Sequence, residues 1–316
     1  MKRNVAKALA LALALCLGVF GLSGCFCSKQ ETTQEEPTSN VSDSKPEVVV
    51  PTEPFYVLVV GDDSRTGTIE AEKENQSDTV MLVRVDPTTY HITIVSIPRD
   101  TTTNINGTDT KFDQAYQYYG IEGTVQAAED LTGVKISYYL DMGFVGFVDF
   151  VNDIDGVDVT VPMTISLTDI ITGKKITVEE GDQHLNGNEA LVYARVRKAY
   201  GDDMEAIRQT QDRQVLQKLI TKVSQMPADQ ASAVVPVFVS ALTNTNMDSE
   251  VLAKLVENFC NNSGSITFDS TSGPYQGSIV NDIWLIPRDE EAWAELMAVV
   301  DAGGDPATVI APKNVN

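Results

Sequence analysis

The chain has 316 residues, of which 42% are hydrophobic, so it is long enough to bury a full core in one or two domains. Its formal net charge of −22 is strongly acidic, and such a surface repels nucleic acid, which excludes DNA or RNA as the expected partner. Arginines that cluster against this acidic background are therefore informative.

The N-terminus predicts export. Lys2 and Arg3 supply a basic start, and residues 5–22 are almost wholly apolar. Leu22-Ser23-Gly24-Cys25 resembles a bacterial lipobox, in which small residues precede a cysteine. We therefore predict a lipoprotein signal peptide over residues 1–24, with Cys25 as the lipidated first residue of the mature chain. An uncleaved membrane anchor is the alternative, and either arrangement places the remaining chain outside the cytoplasm.

A tether and one folded domain follow. Residues 25–53 are rich in Ser, Thr, Glu, Gln and Pro and predict a disordered tether. Strands are then predicted at 55–60, 79–85, 90–97, 138–141, 157–161, 265–268 and 278–285. Helices are predicted at 122–131, 144–151, 189–197, 204–223, 229–242, 249–259 and 289–300. This interleaving predicts one α/β or α+β domain over residues 54–302, with a flexible tail at 303–316.

Acidic clusters flank the first two predicted strands. Gly61-Asp62-Asp63-Ser64-Arg65 follows the first strand, where α/β proteins place their ligands, and Gln76-Ser77-Asp78 precedes the second. If the two strands are neighbours, Asp63 and Asp78 converge. Mg²⁺ is often held by one or two carboxylates together with substrate phosphates, so the pair is a candidate magnesium site. A solvated turn and a turn cap are the alternative interpretations.

Arginines follow the third strand and end a later helix. Arg99 lies in Ser96-Ile97-Pro98-Arg99-Asp100-Thr101, in which Pro98 ends the strand. Ile286-Pro287-Arg288-Asp289 repeats four of these residues at the start of a helix, so the tetrapeptide alone is not diagnostic. In Tyr193-Ala194-Arg195-Val196-Arg197, two arginines can share one anion if the helix ends there. A basic helix end favoured by the helix dipole is the alternative.

In this order and spacing, these clusters resemble the LytR-CpsA-Psr (LCP) family of cell-envelope proteins. The family patterns are G-x-D-S-R at 61–65, R-S-D-T-x-M-L-V at 76–83, S-I-P-R-D-T at 96–101, G-G-V-x-V at 155–159 and G-x-x-x-L-x-G-x-x-A-L-x-Y-x-R-x-R at 181–197. The resemblance spans residues 55–300. It implies a mixed central β-sheet flanked by helices on both faces, with a hydrophobic channel for a lipid.

The resemblance also implies an enzyme of cell-wall biogenesis. It would be a Mg²⁺-dependent phosphotransferase that moves a glycopolymer, such as a teichoic acid, from a polyprenyl-pyrophosphate carrier to a hydroxyl of peptidoglycan. It would work at the outer face of the membrane of a Gram-positive-type bacterium, anchored through its N-terminal lipid. The implied metal ligands are Asp63 and Asp78, and the implied catalytic residues are Arg99, Arg195, Arg197 and Asp63. The implied pyrophosphate-binding residues are Arg65, Gln76, Arg99, Arg195, Arg197, Arg213 and Gln214.

Two departures from the family patterns open an alternative. Gln76 stands where the family has an arginine, so one positive charge is missing. The family pattern R-x-x-R-Q is also disturbed, because Arg208 and Arg213 are five residues apart, about 140° around a helix. We assign Arg213 and Gln214 to the Arg-Gln pair and give Arg208 less weight. The alternative function is a non-catalytic envelope protein that binds a polyprenyl (pyro)phosphate lipid.

Overall fold

The computed structural model describes residues 48–64, 75–105, 107–197 and 204–313. The signal peptide, Cys25 and most of the expected tether lie outside these ranges, as does Arg65. Within these ranges, no helix combines the length and apolar character needed to cross a membrane.

The domain contains strands and helices throughout the described ranges. The strands are β1 (Phe55–Asp62), β2 (Ser77–Asp86), β3 (His91–Ser96), β4 (Thr102–Ile105), β5 (Thr108–Lys111), β6 (Tyr138–Gly143), β7 (Val157–Val161), β8 (Ile165–Thr168), β9 (Lys175–Val178), β10 (Gly181–Leu185), β11 (Asn244–Thr245), β12 (Thr267–Ser272), β13 (Ser278–Val280) and β14 (Ile283–Leu285). The helices are α1 (Phe112–Thr132), α2 (Phe144–Asp153), α3 (Gly187–Arg195), α4 (Met204–Ser224), α5 (Ala228–Ala241), α6 (Ser249–Asn261) and α7 (Glu290–Asp301).

A six-stranded mixed sheet forms the centre of the domain, in the order β11-β6-β1-β2-β3-β12. β2 runs antiparallel to both of its neighbours, β1 and β3, whereas β6 runs parallel to β1 and β12 runs parallel to β3. The end of β1, the start of β2 and the end of β3 therefore lie at one edge of the sheet. This topology brings together the segments that carry Asp63, Asp78 and Arg99, and the predicted adjacency of the first two strands is confirmed.

Helices cover both faces of this sheet, as predicted. Leu58 and Leu82 belong to the core that includes Phe112 of α1 and Trp293 of α7. Strand residues such as Val57 belong to a second core on the opposite face, with side chains from α4 and α6. Because β1 is buried on both faces, its sequence is apolar at nearly every position instead of alternating. The predicted fold class is confirmed.

A smaller group of strands and helices positions Arg195 and Arg197. The hairpin of β8 and β9, the pair of β7 and β10, and helices α2 and α3 contribute to a separate apolar core. Helix α3 begins with a capping box, in which the Asn186 side chain accepts from the Glu189 backbone N–H and Glu189 accepts in return. The helix ends at Arg195, so Arg197 lies beyond it rather than within it as predicted.

Several predicted boundaries were wrong. The single strand predicted at 278–285 is the hairpin of β13 and β14, because Asn281 and Asp282 both have positive φ, as a tight primed turn requires. Helix α1 begins at Phe112, ten residues before its predicted start, and bends at Gly120. The hairpins β4–β5 and β8–β9 and strand β10 were not predicted. Each of these strands is only four or five residues long, too short for its pattern to be recognised.

The domain extends beyond both predicted ends. Val48 and Val50, assigned to the tether, pack against the sheet core. Residues 303–313 were assigned to a flexible tail, but Val309 and Ile310 pack beside α7. The backbone oxygen of Ile310 accepts a hydrogen bond from the Thr271 hydroxyl. These few apolar residues fill gaps at the edge of the core, which local composition does not reveal.

Close packing of α2 on α3 gives a testable consequence. A Cβ atom built on Gly187 would lie 2.2 Å from the backbone oxygen of Val148 in α2. Gly187→Ala must push the two helices apart, and we expect it to lower the free energy of unfolding by about 1–3 kcal/mol, measured by urea denaturation. Gly264→Ala is the matched control, because nothing lies within 4 Å of its Cβ position. Equal stabilities of the two variants would contradict this packing.

Candidate functional site

Arg99 is the centre of the polar cluster at this edge of the sheet. It follows β3 directly after Pro98, and its Nη2 donates to the Gln76 Oε1 atom at 3.1 Å and to Asp113 Oδ2 at 2.7 Å. Its Nη1 forms an ion pair with Asp78. Burial lowers the pKa of Arg99, but the neighbouring carboxylates of Asp78 and Asp113 outweigh burial and raise that pKa. The guanidinium therefore stays charged at any physiological pH.

Arg195 approaches the same carboxylate from another element. It is the last residue of α3, and its Nε lies 3.9 Å from Asp78 Oδ2. Its guanidinium carbon lies 4.7 Å from the centre of the Phe144 ring, a cation–π contact. Arg197 is turned to a different acid, with its Nη1 3.7 Å from Glu205 Oε2. The structure thus brings Arg99 and Arg195 together at Asp78. Arg197 instead contacts Glu205.

Arg208 of α4 links Asp78 to Glu205, whereas the motif spacing favoured Arg213. Its Nη2 donates to the backbone oxygen of Asp78 at 3.0 Å, and its Nη1 donates to Asp212 Oδ2 at 2.7 Å. It also pairs with Glu205, the acid that Arg197 contacts. Arg208 is only 4% exposed, so the network is shielded from water. Its position beside Asp78 makes Arg208, not Arg213, the α4 arginine of this cluster.

Arg213 and Gln214 lie elsewhere on α4. Arg213 Nη1 donates to the hydroxyls of Ser96 and Ser272 at 2.8 and 3.1 Å, and burial lowers the pKa of Arg213 to about 10. Gln214 Oε1 accepts from the Tyr193 hydroxyl at 2.6 Å. These contacts tie α4 to the sheet and to α3. A signal for Arg208 was present in the sequence, because Glu205 and Asp212 stand three residues before it and four after it, on the same helix face.

Asp63 lies beside this cluster and is the second candidate metal ligand. Its Oδ1 accepts from the Gln76 backbone N–H at 2.9 Å, and its own backbone N–H donates to the Gln76 backbone oxygen. Burial raises the pKa of Asp63, and the negative charges of Asp78 and Asp62 raise it further. The effect of the Asp78 charge on Asp63 shows that the two carboxylates are neighbours. Within the described residues, no group of three or more histidine, cysteine or acidic side chains gathers around a single point.

Gln76 connects the arginine cluster to the first helix. Its oxygen accepts from Arg99, as described above, and its Nε2 donates to Gln117 Oε1 at 3.3 Å. An amide can hold both contacts because it has a donor end and an acceptor end. Asp113 and Gln117 were not predicted as site residues, because the start of α1 was not recognised.

An apolar channel of about 360 Å³ runs beneath the sheet and ends at the cluster. Helices α2, α4, α5 and α6 supply the wall opposite β1 and β2, with residues such as Phe147, Leu219 and Phe259. Asp78, Arg195, Arg208 and Asp212 line its polar end. A ligand that fits would combine a long apolar chain with an anionic group at one end.

A buried pair of carboxyl groups lies on the other side of β1. Asp62 and Asp141 are 0% and 1% exposed. Asp62 accepts from the Ser64 backbone N–H at 2.7 Å, and Asp141 Oδ2 accepts from the Tyr116 hydroxyl at 2.8 Å. Burial and the charge of Asp62 raise the pKa of Asp141 to about 8. This pair was not predicted, since it depends on the pairing of β1 with β6.

The raised pKa of Asp141 predicts a dependence of stability on pH. Its ordinary pKa is 3.8, so between about pH 4 and pH 8 the folded chain keeps a proton that the unfolded chain releases. Its stabilising contribution is complete below pH 4 and is lost as the pH rises to 8, at up to about 1.4 kcal/mol per pH unit. Asp141→Asn removes this slope.

Urea denaturation from pH 5 to pH 9 checks the slope. We expect the stability of Asp141→Asn relative to the natural protein to increase up to about pH 8 and then to level off. Asp153→Asn, at an exposed site, is the control and is expected to show no such trend. A difference for Asp141→Asn that is constant with pH would contradict the assignment.

The sequence of this chain matches a known protein family and known relatives. The sequence model of the LytR_cpsA_psr family matches residues 21–298. A relative from Bacillus subtilis (strain 168), polyisoprenyl-teichoic acid–peptidoglycan teichoic acid transferase TagV, is 34% identical over 226 residues. That match covers 69% of this chain and 56% of the relative, so the chain matches little more than half of the relative's length.

Solved structures share the fold. The crystal structure of B. subtilis TagV superposes with a TM-score of 0.68 at 25% identity, covering 84% of this chain and 100% of that one. The structure of YwtF (TagT) with bound octaprenyl pyrophosphate lipid superposes with a TM-score of 0.59 at 22% identity. It covers 82% of this chain and 93% of that one.

Proposed function

This chain belongs to the LytR-CpsA-Psr family, and we propose that it transfers a glycopolymer from a polyprenyl-pyrophosphate carrier to a hydroxyl of peptidoglycan. The observation that carries the proposal is the apolar channel that ends at Arg195, Arg208 and Asp78, the acid with which Arg99 pairs. A polyprenyl tail fits the channel, and the arginines meet the pyrophosphate. The teichoic acid transferase activity named for the TagV relative and the octaprenyl pyrophosphate held by YwtF (TagT) support it.

The geometry suggests how the chain would act on such a substrate. A pyrophosphate at the end of the channel would compete with Asp78 for the guanidinium of Arg195, whose contact with Asp78 is long at 3.9 Å. The hydroxyl oxygen of the acceptor would form a bond to the phosphorus that bears the glycan, and its proton would pass to solvent. The bridging P–O bond would break with its electron pair, and polyprenyl phosphate would leave. The arginines would neutralise the charge that develops, the main requirement of phosphoryl transfer.

We propose Mg²⁺ as the cofactor, held by Asp63 and Asp78. The fit rests on the donor set: two neighbouring carboxylates, one of which has its pKa raised by the other, leave further positions for phosphate oxygens. The bound ion would supply charge neutralisation at the pyrophosphate. Asp63 keeps its orientation through two backbone contacts with Gln76.

Asp63→Asn tests this assignment. We expect the Mg²⁺ affinity to fall by at least about 10–100-fold, measured by calorimetry in the presence of a polyprenyl pyrophosphate. Loss of a residue that only orients a metal ligand already has an effect of that size. Transfer should fall in parallel, and chelation with EDTA should abolish it in the natural protein. Asp109→Asn, at an exposed site, is the control. Unchanged Mg²⁺ affinity in Asp63→Asn would remove Asp63 from the proposed metal site.

The place of action is part of the proposal. Relatives in this family are cell-envelope proteins of Gram-positive bacteria. We infer that residues 1–24 are removed as a signal peptide and that a lipid on Cys25 anchors the chain to the outer face of the membrane. Mass spectrometry of the mature N-terminus tests this. An intact Met1 or an unmodified Cys25 would overturn it.

The alternative is a non-catalytic lipid-binding protein, motivated by Gln76. This residue contributes a hydrogen bond to Arg99 but no charge, so the site has one positive group fewer than the family pattern implies. Turnover decides between the two. Release of polyprenyl phosphate by the natural protein with Mg²⁺ and peptidoglycan would exclude the alternative, whereas binding without release would establish it.

A further inference from the structure

A second cavity lies on the opposite side of the sheet edge from the apolar channel. Its volume is about 300 Å³, and it is formed between α1, the end of β6 and the segment that leads into β11. Its described lining residues are Asn75, Tyr116, Gln117, Tyr119, Gly120, Ile121, Glu122, Asp141, Thr243 and Asn244. The lining is mostly polar, in contrast to the channel.

The cavity is one side chain away from the arginine cluster. Gln117 lies in its wall and accepts from Gln76, which in turn accepts from Arg99. Asn75, another wall residue, directly precedes Gln76. The cavity therefore lies next to the place where a pyrophosphate would meet Arg99.

The chemistry of the wall selects an uncharged, hydroxyl-rich ligand. Amide, carboxyl and hydroxyl groups offer both donors and acceptors, and the half-exposed ring of Tyr119 offers a flat apolar surface. No arginine, lysine or histidine occurs among the described lining residues, so the wall does not favour a phosphate. A pyranose ring matches this wall, because the hydroxyls at its edge can bond the polar groups and its apolar face can pack on the Tyr119 ring.

Asp141 supplies a buried carboxyl group to this wall. It is only 1% exposed, and its Oδ2 accepts from Tyr116. The Asp62 carboxyl lies close enough to share a proton with Asp141, so a ligand hydroxyl in the cavity would be an additional partner.

Backbone conformation shapes the same wall. Gly120 interrupts α1 with φ 65° and ψ −161°, a conformation that is essentially confined to glycine. Gln117 and Tyr119 precede this bend, and Ile121 and Glu122 follow it. The bend is what lets residues from both halves of α1 face one cavity.

We propose that this polar cavity binds a neutral sugar ring beside the pyrophosphate site. The proposal rests on the proposed function, because it takes the neighbouring cluster to be the pyrophosphate site. Two glycans could supply the ring: the first sugars of the carrier-linked polymer, or a sugar of the peptidoglycan acceptor.

Tyr119→Ala and Glu122→Ala test the proposal in the full-length protein, one on each side of the Gly120 bend. Tyr118→Ala is the matched control, because this adjacent ring is 59% exposed and does not line the cavity. Three ligands are titrated: bare polyprenyl pyrophosphate, the same lipid carrying a disaccharide, and a soluble peptidoglycan disaccharide. We expect about a tenfold loss of affinity for a sugar-bearing ligand and none for the bare lipid.

The pattern of losses identifies the source of the sugar. Weaker binding of the glycosylated lipid alone assigns the cavity to the donor, and weaker binding of the peptidoglycan fragment alone assigns it to the acceptor. If Tyr119→Ala and Glu122→Ala bind all three ligands as Tyr118→Ala does, the proposal is overturned. If the natural protein fails to bind the bare lipid but binds a sugar through Tyr119, the proposed function fails and the sugar site stands.

Discussion

Arg99→Ala is expected to lower the rate of glycopolymer transfer by about 10³-fold or more, judged from the effect of arginine fingers on phosphoryl transfer. Arg99 connects the other residues of the site: it donates hydrogen bonds to Gln76 and Asp113 and forms an ion pair with Asp78. Its loss removes a fixed positive charge from beside the end of the channel, takes the ion pair from Asp113 and leaves Asp78 with the 3.9 Å contact to Arg195. The measurement is release of polyprenyl phosphate from a carrier-linked saccharide with peptidoglycan as acceptor.

The chain contains its own control for this experiment. Arg288 lies in the second Ile-Pro-Arg-Asp tetrapeptide, and its Nη2 donates to the backbone oxygen of Asp130, away from the cluster. Arg288→Ala should leave the rate of transfer within a few-fold of the natural value. Similar rates for Arg99→Ala and Arg288→Ala would show that Arg99 has no role in the reaction.

Arg208→Met is expected to lower the free energy of unfolding by about 3–5 kcal/mol, because it leaves buried charges uncompensated. Arg208 and Asp212 are 4% and 5% exposed, and Arg208 also holds Glu205. Without the guanidinium, the buried Asp212 loses its ion pair, and Glu205 keeps only its contact with Arg197. We expect transfer to be lost as well, since Asp78 loses a backbone contact that fixes its position.

Arg213→Met provides the comparison for stability. Arg213 is equally buried, but its donors bond the neutral hydroxyls of Ser96, Ser272 and Thr210. Its removal strands no partner charge, so we expect a smaller loss of about 1–3 kcal/mol. Urea denaturation at neutral pH measures both variants. A larger loss for Arg213→Met than for Arg208→Met would contradict the assignment of Arg208 to the ion-pair network.

The edge of the sheet where the site forms could be predicted from the sequence, because it depends on local signals. A doubly buried strand, a proline that ends another and an acid that starts a third are each visible in a few residues. Their order along the chain resembles one family closely enough to indicate the sheet and its covering helices. The convergence of Asp78, Arg99 and Arg195 follows from that topology.

The features that were missed depend on contacts between distant segments. Asp62 and Asp141 are separated by 79 positions, and only the parallel pairing of β1 with β6 brings them together. Arg208 received less weight than Arg213 because the choice followed motif spacing instead of the acids that share a helix face with Arg208. The early part of α1 was missed because a glycine bend at Gly120 divides the helix.

The most direct test of the central claim compares two lipids of equal chain length, polyprenyl pyrophosphate and the uncharged polyprenol. Both would fill the apolar channel under the proposed function, but only the first would present an anion to Arg99, Arg195 and Arg208. We predict that the natural protein binds the pyrophosphate at least about 10²-fold more tightly, a difference of about 2.7 kcal/mol, and that Arg99→Ala reduces this preference. Equal affinities for the two lipids would contradict a pyrophosphate site at the end of the channel.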